Sequence, residues 1–342
     1  MARRLDVVGD LDVPKLRCAS FHSSLEVDPA GTAGAYDAFL CVEVPLPWER
    51  DISSNEPFLS LIGAGTTSVR APDGRTIRPQ GLVPRPGAEG WTRVVFLERP
   101  ALDGSGPGVA GPYARRQWWL DPVEVPDLCR ALLEVDDVGV SAFDERRVEV
   151  PAELVDVLVC THGRRDACCG STGEAMRERL SGRLEAPDVD GATRVWRVSH
   201  TGGHRFAPTV LTFPDGYAWA HLDDGTAAAL ALRSVEPSAL LGHCRGSAAL
   251  ARGPAQVADV AVLGEIGWPW ADATRTATVT GFDRATLATT VRVDGTLADG
   301  ERVVRVVVVE VERYVPQITC GAIDAPEYDV EPVWRVASID EG

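Results

Sequence analysis

Two short strings concentrate the residues able to bind metal or exchange electrons: Cys160-Thr-His-Gly-Arg-Arg-Asp-Ala-Cys-Cys169-Gly170 and His200-Thr-Gly-Gly-His204-Arg205. Thiolate is a soft donor and imidazole a borderline one, so together they suit zinc or iron-sulfur chemistry. Eight residues separate Cys160 from Cys169, whereas a single zinc ion usually takes cysteines about two to four residues apart, so the spacing leans towards a bulkier cluster. A zinc site remains an alternative on spacing alone. A Cys168-Cys169 redox pair is another, although vicinal cysteines form strained disulfides and thioredoxin-type chemistry wants two intervening residues. His200 and His204 have helical spacing, but Gly202-Gly203 between them favours a tight loop whose backbone approaches something closely. Glycine also bares amides that can donate hydrogen bonds to cluster sulfides.

The elements that must position these strings can be read from the pattern around them. Leu154-Val-Asp-Val-Leu-Val159 is an apolar strand that runs straight into Cys160. After the first string, Ser171 stands as a helix cap with Glu174 in capping-box position, and Met176, Leu180 and Leu184 follow at helical spacing. Thr193 to Val198 is a strand and Ser199 to Phe206 a glycine-rich loop. Val210 to Phe213 and Tyr217 to His221 form a hairpin around Pro214-Asp215-Gly216, and Thr226 to Arg233 is a helix. Residues 154 to 233 therefore read as strand, helix, strand, loop, hairpin, helix, the order of a thioredoxin-like unit whose second helix is replaced by a loop. Both chemical strings follow strands, so they should leave the same end of one parallel pair and bring their donors together.

Upstream, residues 35 to 44 read as a buried strand ending before Pro45-Leu46-Pro47, and the stretch through Pro86 and Gly87 as mostly loop. Val94 to Leu97 and Gln117 to Leu120 are strands and Val125 to Leu133 an amphipathic helix, an order that reads as a degenerate copy of the later unit. Beyond Ala248, a helical stretch to Leu263 leads into three apolar runs, Thr276 to Val279, Ala288 to Val293 and Val303 to Val311. Asp294-Gly295 and Asp299-Gly300 suit the turns between them. The expected architecture is α/β: an N-terminal α/β domain without a cluster over residues 1–150, a thioredoxin-like domain over 151–263, and a β-rich C-terminal subdomain over 264–342.

The bulk composition narrows the function classes. Hydrophobic residues at 45%, charged residues at 25% and a mean hydropathy of -0.04 describe a globular chain long enough for several cores. A net charge of -16 argues against nucleic-acid and anionic-membrane partners. No run approaches the roughly 18 apolar residues of a spanning helix, and Met1 to Leu16 lacks an apolar signal core, so a cytoplasmic protein is expected. Eight cysteines in such a chain favour metal binding, redox chemistry or burial over a disulfide framework. Cys18, Cys41, Cys129, Cys244 and Cys320, scattered singly, read as packing residues, as do His22, His221 and His243. Gly63, Gly65 and the group from Gly104 to Gly111 do not form a dinucleotide fingerprint between a strand and a helix.

The strings Cys160-Thr-His-Gly-Arg-Arg-Asp with Cys169-Gly170, and His200-Thr-Gly-Gly-His204-Arg205-Phe206-Ala207, resemble the sucrase/ferredoxin-like family of thioredoxin-like ferredoxins. The likeness extends more weakly to Gly31-Thr32-Ala33, Pro47-Trp48 and Asp223-Asp224-Gly225, covering roughly residues 20 to 260. The resemblance implies a 2Fe-2S cluster outside the Rieske fold, with Cys160, Cys169, His200 and His204 as ligands and residues 151–263 as the ferredoxin domain. Cys168 departs from the family pattern, which often has a non-cysteine residue there. Cys169, next to Gly170, is taken as the ligand and Cys168 as its spare neighbour.

With two thiolates and two neutral imidazoles the diferric centre is formally uncharged, so its potential should lie well above the roughly -400 mV of plant-type clusters and fall with rising pH. Arg164, Arg165 and Arg205 could support the reduced state or form a docking rim, and Asp166 could orient His162, Arg165 or the loop backbone. The function implied is single-electron transfer rather than catalysis, with a redox sensor or a zinc-stabilised interaction protein as alternatives. Sucrose hydrolysis is not expected, because no pair of carboxylates announces glycosidase roles. Reducing equivalents would come from a separate partner such as a ferredoxin reductase, docking a basic patch on this acidic surface.

Overall fold

Runs of β-branched and aromatic residues, interrupted by glycine and proline, pair into two sheets. The fold is given by a computed structural model describing residues 18–85, 87, 89–99, 109–184, 193–320 and 329–342. The opening stretch before Cys18, and Gly104, Gly106 and Gly108 of the glycine group, lie outside the described residues. The first half contains α1 (Cys18–Ser24), β1 (Ala38–Glu43), α2 (Phe58–Ile62), β2 (Val69–Arg70), β3 (Thr76–Leu82), β4 (Thr92–Glu98), β5 (Val109–Ala110), β6 (Ala114–Leu120), α3 (Val125–Glu134) and α4 (Asp137–Ser141). The second contains β7 (Val155–Cys160), α5 (Glu174–Leu184), β8 (Thr193–Val198), β9 (Val210–Phe213), β10 (Tyr217–Trp219), α6 (Asp224–Ala231) and β11 (Cys244–Ser247). There follow α7 (Pro254–Ile266), α8 (Trp268–Ala271), β12 (Thr274–Asp283), β13 (Ala288–Thr296), β14 (Arg302–Pro316) and β15 (Val330–Glu341).

The large sheet has the order β11-β10-β9-β7-β8-β3-β1-β4-β6, with β2 alongside β3. Within it β7 and β8 are parallel, β9 runs antiparallel to β7, and β10 antiparallel to β9. The first half repeats this pairing: β1 and β3 are parallel, β4 is antiparallel to β1, and β6 to β4. The two halves meet antiparallel where Leu82 faces Val198. The expected α/β class is therefore the observed one, with a separate C-terminal sheet.

That second sheet has the order β15-β14-β13-β12-β5. It holds four long strands where the sequence predicts three short runs, and it borrows β5 from the first half. Helix α7 packs against β11 and the long strands, and most of its residues are buried, the polar Gln256 and Asp259 among them. The core around it joins Val157, Trp219 and Leu263 to Val293 and Val307, so one hydrophobic cluster spans both sheets. Inside it the fully buried Asp259 accepts from Arg275 at 2.7 Å, Trp270 at 3.0 Å and Tyr217 at 2.8 Å.

Two local expectations are corrected. Residues 76–82, read as loop because of Pro79 and Gly81, form the buried strand β3. On the edge away from β1, β2 pairs only at Thr76 and Ile77 and β8 only at Leu82, so Pro79 sits where no ladder donor is needed on the open side. Ser171 is not a cap. The helix opens at Ala167, where Asp166 Oδ1 accepts the Cys168 amide at 2.8 Å, and passes through a π-helical turn at Cys169–Gly173 before α5. Ser171 instead donates to the Ala167 carbonyl at 2.9 Å, one turn back.

Candidate metal centre

Because β7 and β8 are parallel with Cys160 opposite Val198, the two chemical strings leave the same edge of the sheet. The Cys160 amide donates to the Thr209 carbonyl at 3.1 Å and the Thr161 amide to Val198 at 3.0 Å, which anchors both loops at their roots. A side chain at Gly173 would place its Cβ 2.0 Å from the Cys160 carbonyl oxygen, so only glycine lets the π-helical turn close over the strand end. This closure brings Cys169 back to Cys160.

Cys160, Cys169 and a ring nitrogen of His200 lie within 4.8 Å of one another. His204 stands outside that triad, with its ring 5.8 Å from the His200 ring and tilted by 40°. Both cysteines are buried. His200 Nδ1 and His204 Nε2 are buried without a hydrogen-bond partner among the described residues, a costly arrangement for polar atoms unless something else binds them. The Cys169 thiol hydrogen-bonds Cys160 and, with His200 alongside, holds Cys160 well below the usual thiol range. The same contact pushes Cys169 up, so the pair shares one proton. Burial lowers His204 to about 4, which leaves its imidazole neutral at physiological pH. Buried nitrogens without a hydrogen-bond partner among the described residues, next to two buried thiols of which Cys160 ionises readily, fit a soft metal centre.

The surroundings hold the histidine loop rather than the cysteines. His162, which is also buried, accepts the His200 amide at Nδ1 (3.3 Å), and its Nε2 meets the Glu49 carbonyl at 2.8 Å. Trp48 packs edge-on against the same ring at 5.3 Å. From β3, Arg78 donates to the His200 carbonyl, and Gln80 donates to the Ser199 carbonyl and hydroxyl at 2.6 and 2.7 Å. Arg245 donates to the Gly202 carbonyl at 3.0 Å and to the Thr32 carbonyl at 2.6 Å, which ties the Gly31-Thr32 string to the Gly202-Gly203 turn. The close approach expected at that turn is therefore to a guanidinium. Arg164, Arg165 and Arg205 pair with Glu49, Asp51 and Glu331. Arg205 is buried and so cannot serve in a docking rim. Asp166 takes the last of its three expected roles, orienting the loop backbone.

The largest departure from expectation concerns the scattered cysteines. Cys41, Cys129 and Cys244 do pack into separate apolar cores. Cys18 and Cys320 do not behave as filler: the Cys18 sulfur lies 3.7 Å from Cys168 and 3.3 Å from Cys320, and Cys168 and Cys320 are 3.3 Å apart. Cys168 thus turns away from Cys169's group towards another one. Sequence reading missed this because the three sulfurs come from positions as much as 302 residues apart.

An α/β fold carrying a buried thiol and imidazole set at the end of a parallel strand pair defines a candidate metalloprotein. The chain belongs to the sucrase/ferredoxin-like family, whose pattern it matches over residues 29–246. It is similar to Altered inheritance of mitochondria protein 32 of Meyerozyma guilliermondii, at 30% identity over 100 residues, 28% of this chain. The aligned part spans 35% of that protein's length. No solved structure matches the chain. Among the described residues no helix is long and apolar enough to cross a membrane.

Proposed function

We propose that this chain is a single-electron carrier whose 2Fe-2S cluster is held by Cys160, Cys169, His200 and His204. The observation that carries the reading is a pair of buried nitrogens, His200 Nδ1 and His204 Nε2, without a hydrogen-bond partner among the described residues, on neighbouring rings of which that of His200 stands beside two buried thiols. When bound, such a cluster accepts and donates one electron at a time, and its histidine ligation raises the potential above that of all-cysteine centres. The protein's own residues supply ligation, orientation and dryness. Cys160 offers a thiolate, Cys169 a thiol that would give up its proton on binding, and His204, kept neutral by burial, a lone pair. His162 and Arg78 fix the His200 backbone from both sides, while Phe206 and Ala207 keep the histidine loop in an apolar setting.

His200 also lines a shallow cleft of about 30 Å³ with Arg50, Asp51, Thr66, Arg78 and Arg165. Both histidines are only partly buried whereas Cys160 and Cys169 are fully buried, so electrons would leave on the histidine side. A ferredoxin reductase with a basic docking patch suits the acidic chain, and transfer rates should then fall with rising ionic strength. All eight cysteines are free, which suits a reducing compartment such as the cytoplasm.

The test is anaerobic purification followed by iron and sulfide analysis, visible absorption and reduced-state EPR, alongside the His204→Cys variant. The expected result is about two irons and two sulfides per chain, a rhombic reduced signal and shifted spectra in the variant. A chain that holds neither iron nor sulfide after anaerobic reconstitution would overturn the proposal.

A further inference from the structure

Next to the candidate cluster site, on the far side of the Cys168-Cys169 peptide, a second set of donors converges. Cys18 comes from α1, Asp166 from the loop after β7, Cys168 from the helical turn that opens at Ala167, and Cys320 from the segment after β14. The ligand atoms all lie within 4.8 Å of one another. The three sulfur separations are 3.3, 3.3 and 3.7 Å. The Asp166 carboxylate oxygens lie 3.8 and 4.0 Å from the Cys18 sulfur. Four donors placed tetrahedrally around one ion with metal-sulfur bonds of about 2.3 Å have sulfur-sulfur edges of about 3.8 Å. One observed edge, 3.7 Å, matches that figure, the other two are shorter at 3.3 Å and would open on binding, and all three are well beyond the roughly 2 Å of a disulfide bond.

Charge makes the same case. Asp166 is buried, at 5% exposure. Its one strong hydrogen bond comes from the Cys168 amide at 2.8 Å, and among the described residues no cationic side chain forms an ion pair with it. A buried carboxylate is normally paired or bound to metal. Phe21, Ala19, Ala207 and Ile318 wall the group in apolar surface, so water is a poor substitute for a cation there.

We propose that Cys18, Asp166, Cys168 and Cys320 form a second metal site, distinct from Cys160, Cys169 and the histidines, that takes a single thiolate-preferring divalent ion of the zinc type. Three sulfurs and one oxygen, all buried except the half-buried Cys320, supply four protein donors and so match a structural rather than a catalytic zinc site. Such an ion would clasp α1 and the segment after β14 onto the loop that ends in Cys169. His22 reinforces this clasp, since its ring nitrogens meet the carbonyls of Cys18 and Pro316, both at 2.9 Å. The two donor sets share no residue, so this site keeps its zinc-type character whichever group the neighbouring donors bind.

The experiment measures zinc, iron and sulfide in the same anaerobically purified full chain and in three variants: Cys18→Ser, Cys320→Ser and Cys160→Ser. The expected result is one zinc per chain, lost in the first two variants and kept in the third, while iron and sulfide follow the opposite pattern. Adding cobalt(II) chloride to the chelator-stripped wild-type chain should give thiolate-to-cobalt charge-transfer absorption that disappears in Cys320→Ser. Differential alkylation of the wild-type chain guards against misfolded variants: Cys18, Cys168 and Cys320 should be protected until a chelator is added. Zinc retained by both Cys18→Ser and Cys320→Ser, or a wild-type chain without zinc in which these thiols alkylate freely or are joined as a disulfide, would overturn the proposal. Failure of the iron reading alone, with zinc behaving as expected, would leave this site standing.

Discussion

The Gly202-Gly203 turn permits a paired test of how the histidine loop is held. Both glycines have positive φ, 90° at Gly202 and 72° at Gly203, so alanine at either costs about 1 kcal/mol in backbone strain. Their surroundings differ. A Cβ at Gly202 meets nothing within 4 Å, whereas one at Gly203 would lie 2.5 Å from the Cζ and Nη2 atoms of Arg245. That guanidinium cannot retreat into water, because Arg245 is only 3% exposed. It is held by the Gly202 carbonyl and by both oxygens of Thr32. Losing even one such charged hydrogen bond costs about 1.5–3 kcal/mol. Gly202→Ala should therefore lower stability by about 1 kcal/mol and Gly203→Ala by about 2.5–4 kcal/mol. Urea titration followed by tryptophan fluorescence gives both values, read from the midpoint at unchanged slope. If the two variants agree within about 0.5 kcal/mol, the Arg245 contact does not hold the loop and the reasoning fails.

Two further outcomes rest on buried charge. Asp259→Ala strands the fully buried Arg275 and removes the acceptor for Trp270 and Tyr217. It should destabilise the chain by about 3–5 kcal/mol in the same titration, and a loss under 1 kcal/mol would show that the pair is dispensable. Burial pushes His221 down to about 4 and lowers His22 as well. Between about pH 4 and 6.5 the unfolded chain then binds protons that the folded chain does not, so stability is lost as pH falls through this window. His221→Asn, a residue that tolerates the positive φ of 51° there, should remove about 1–2 kcal/mol of that loss, allowing for partial solvent screening. Identical pH slopes in variant and parent would contradict the assignment.

Local pattern made some of this architecture readable in advance. Thr193–Val198 has its expected limits because an apolar alternation is bounded by polar and glycine-rich residues. The shared exit of the two chemical strings followed from a parallel pair, and β7 and β8 supply it. Strand β3 was hidden by Pro79, whose lack of a donor matters only where both edges are paired. The second thiol group was hidden for another reason. Cys18, Cys168 and Cys320 carry no spacing signal, and only the return of the C-terminal segment to α1 makes them neighbours. Arg245 likewise showed nothing locally of the turn it supports.

The vicinal pair Cys168-Cys169 faces two donor sets at once, and both cysteines are buried. One peptide bond therefore belongs to two sites, and the conformational entropy of that loop can be surrendered only once. An occupant on either side that orders Asp166 to Gly170 lowers the ordering cost met by the other. Thermodynamic reciprocity makes the benefit symmetrical, since each raises the affinity of the other by the same factor. Each side would then keep its own metal when the other is disabled but hold it with lower affinity, making the two thiols a point of linkage.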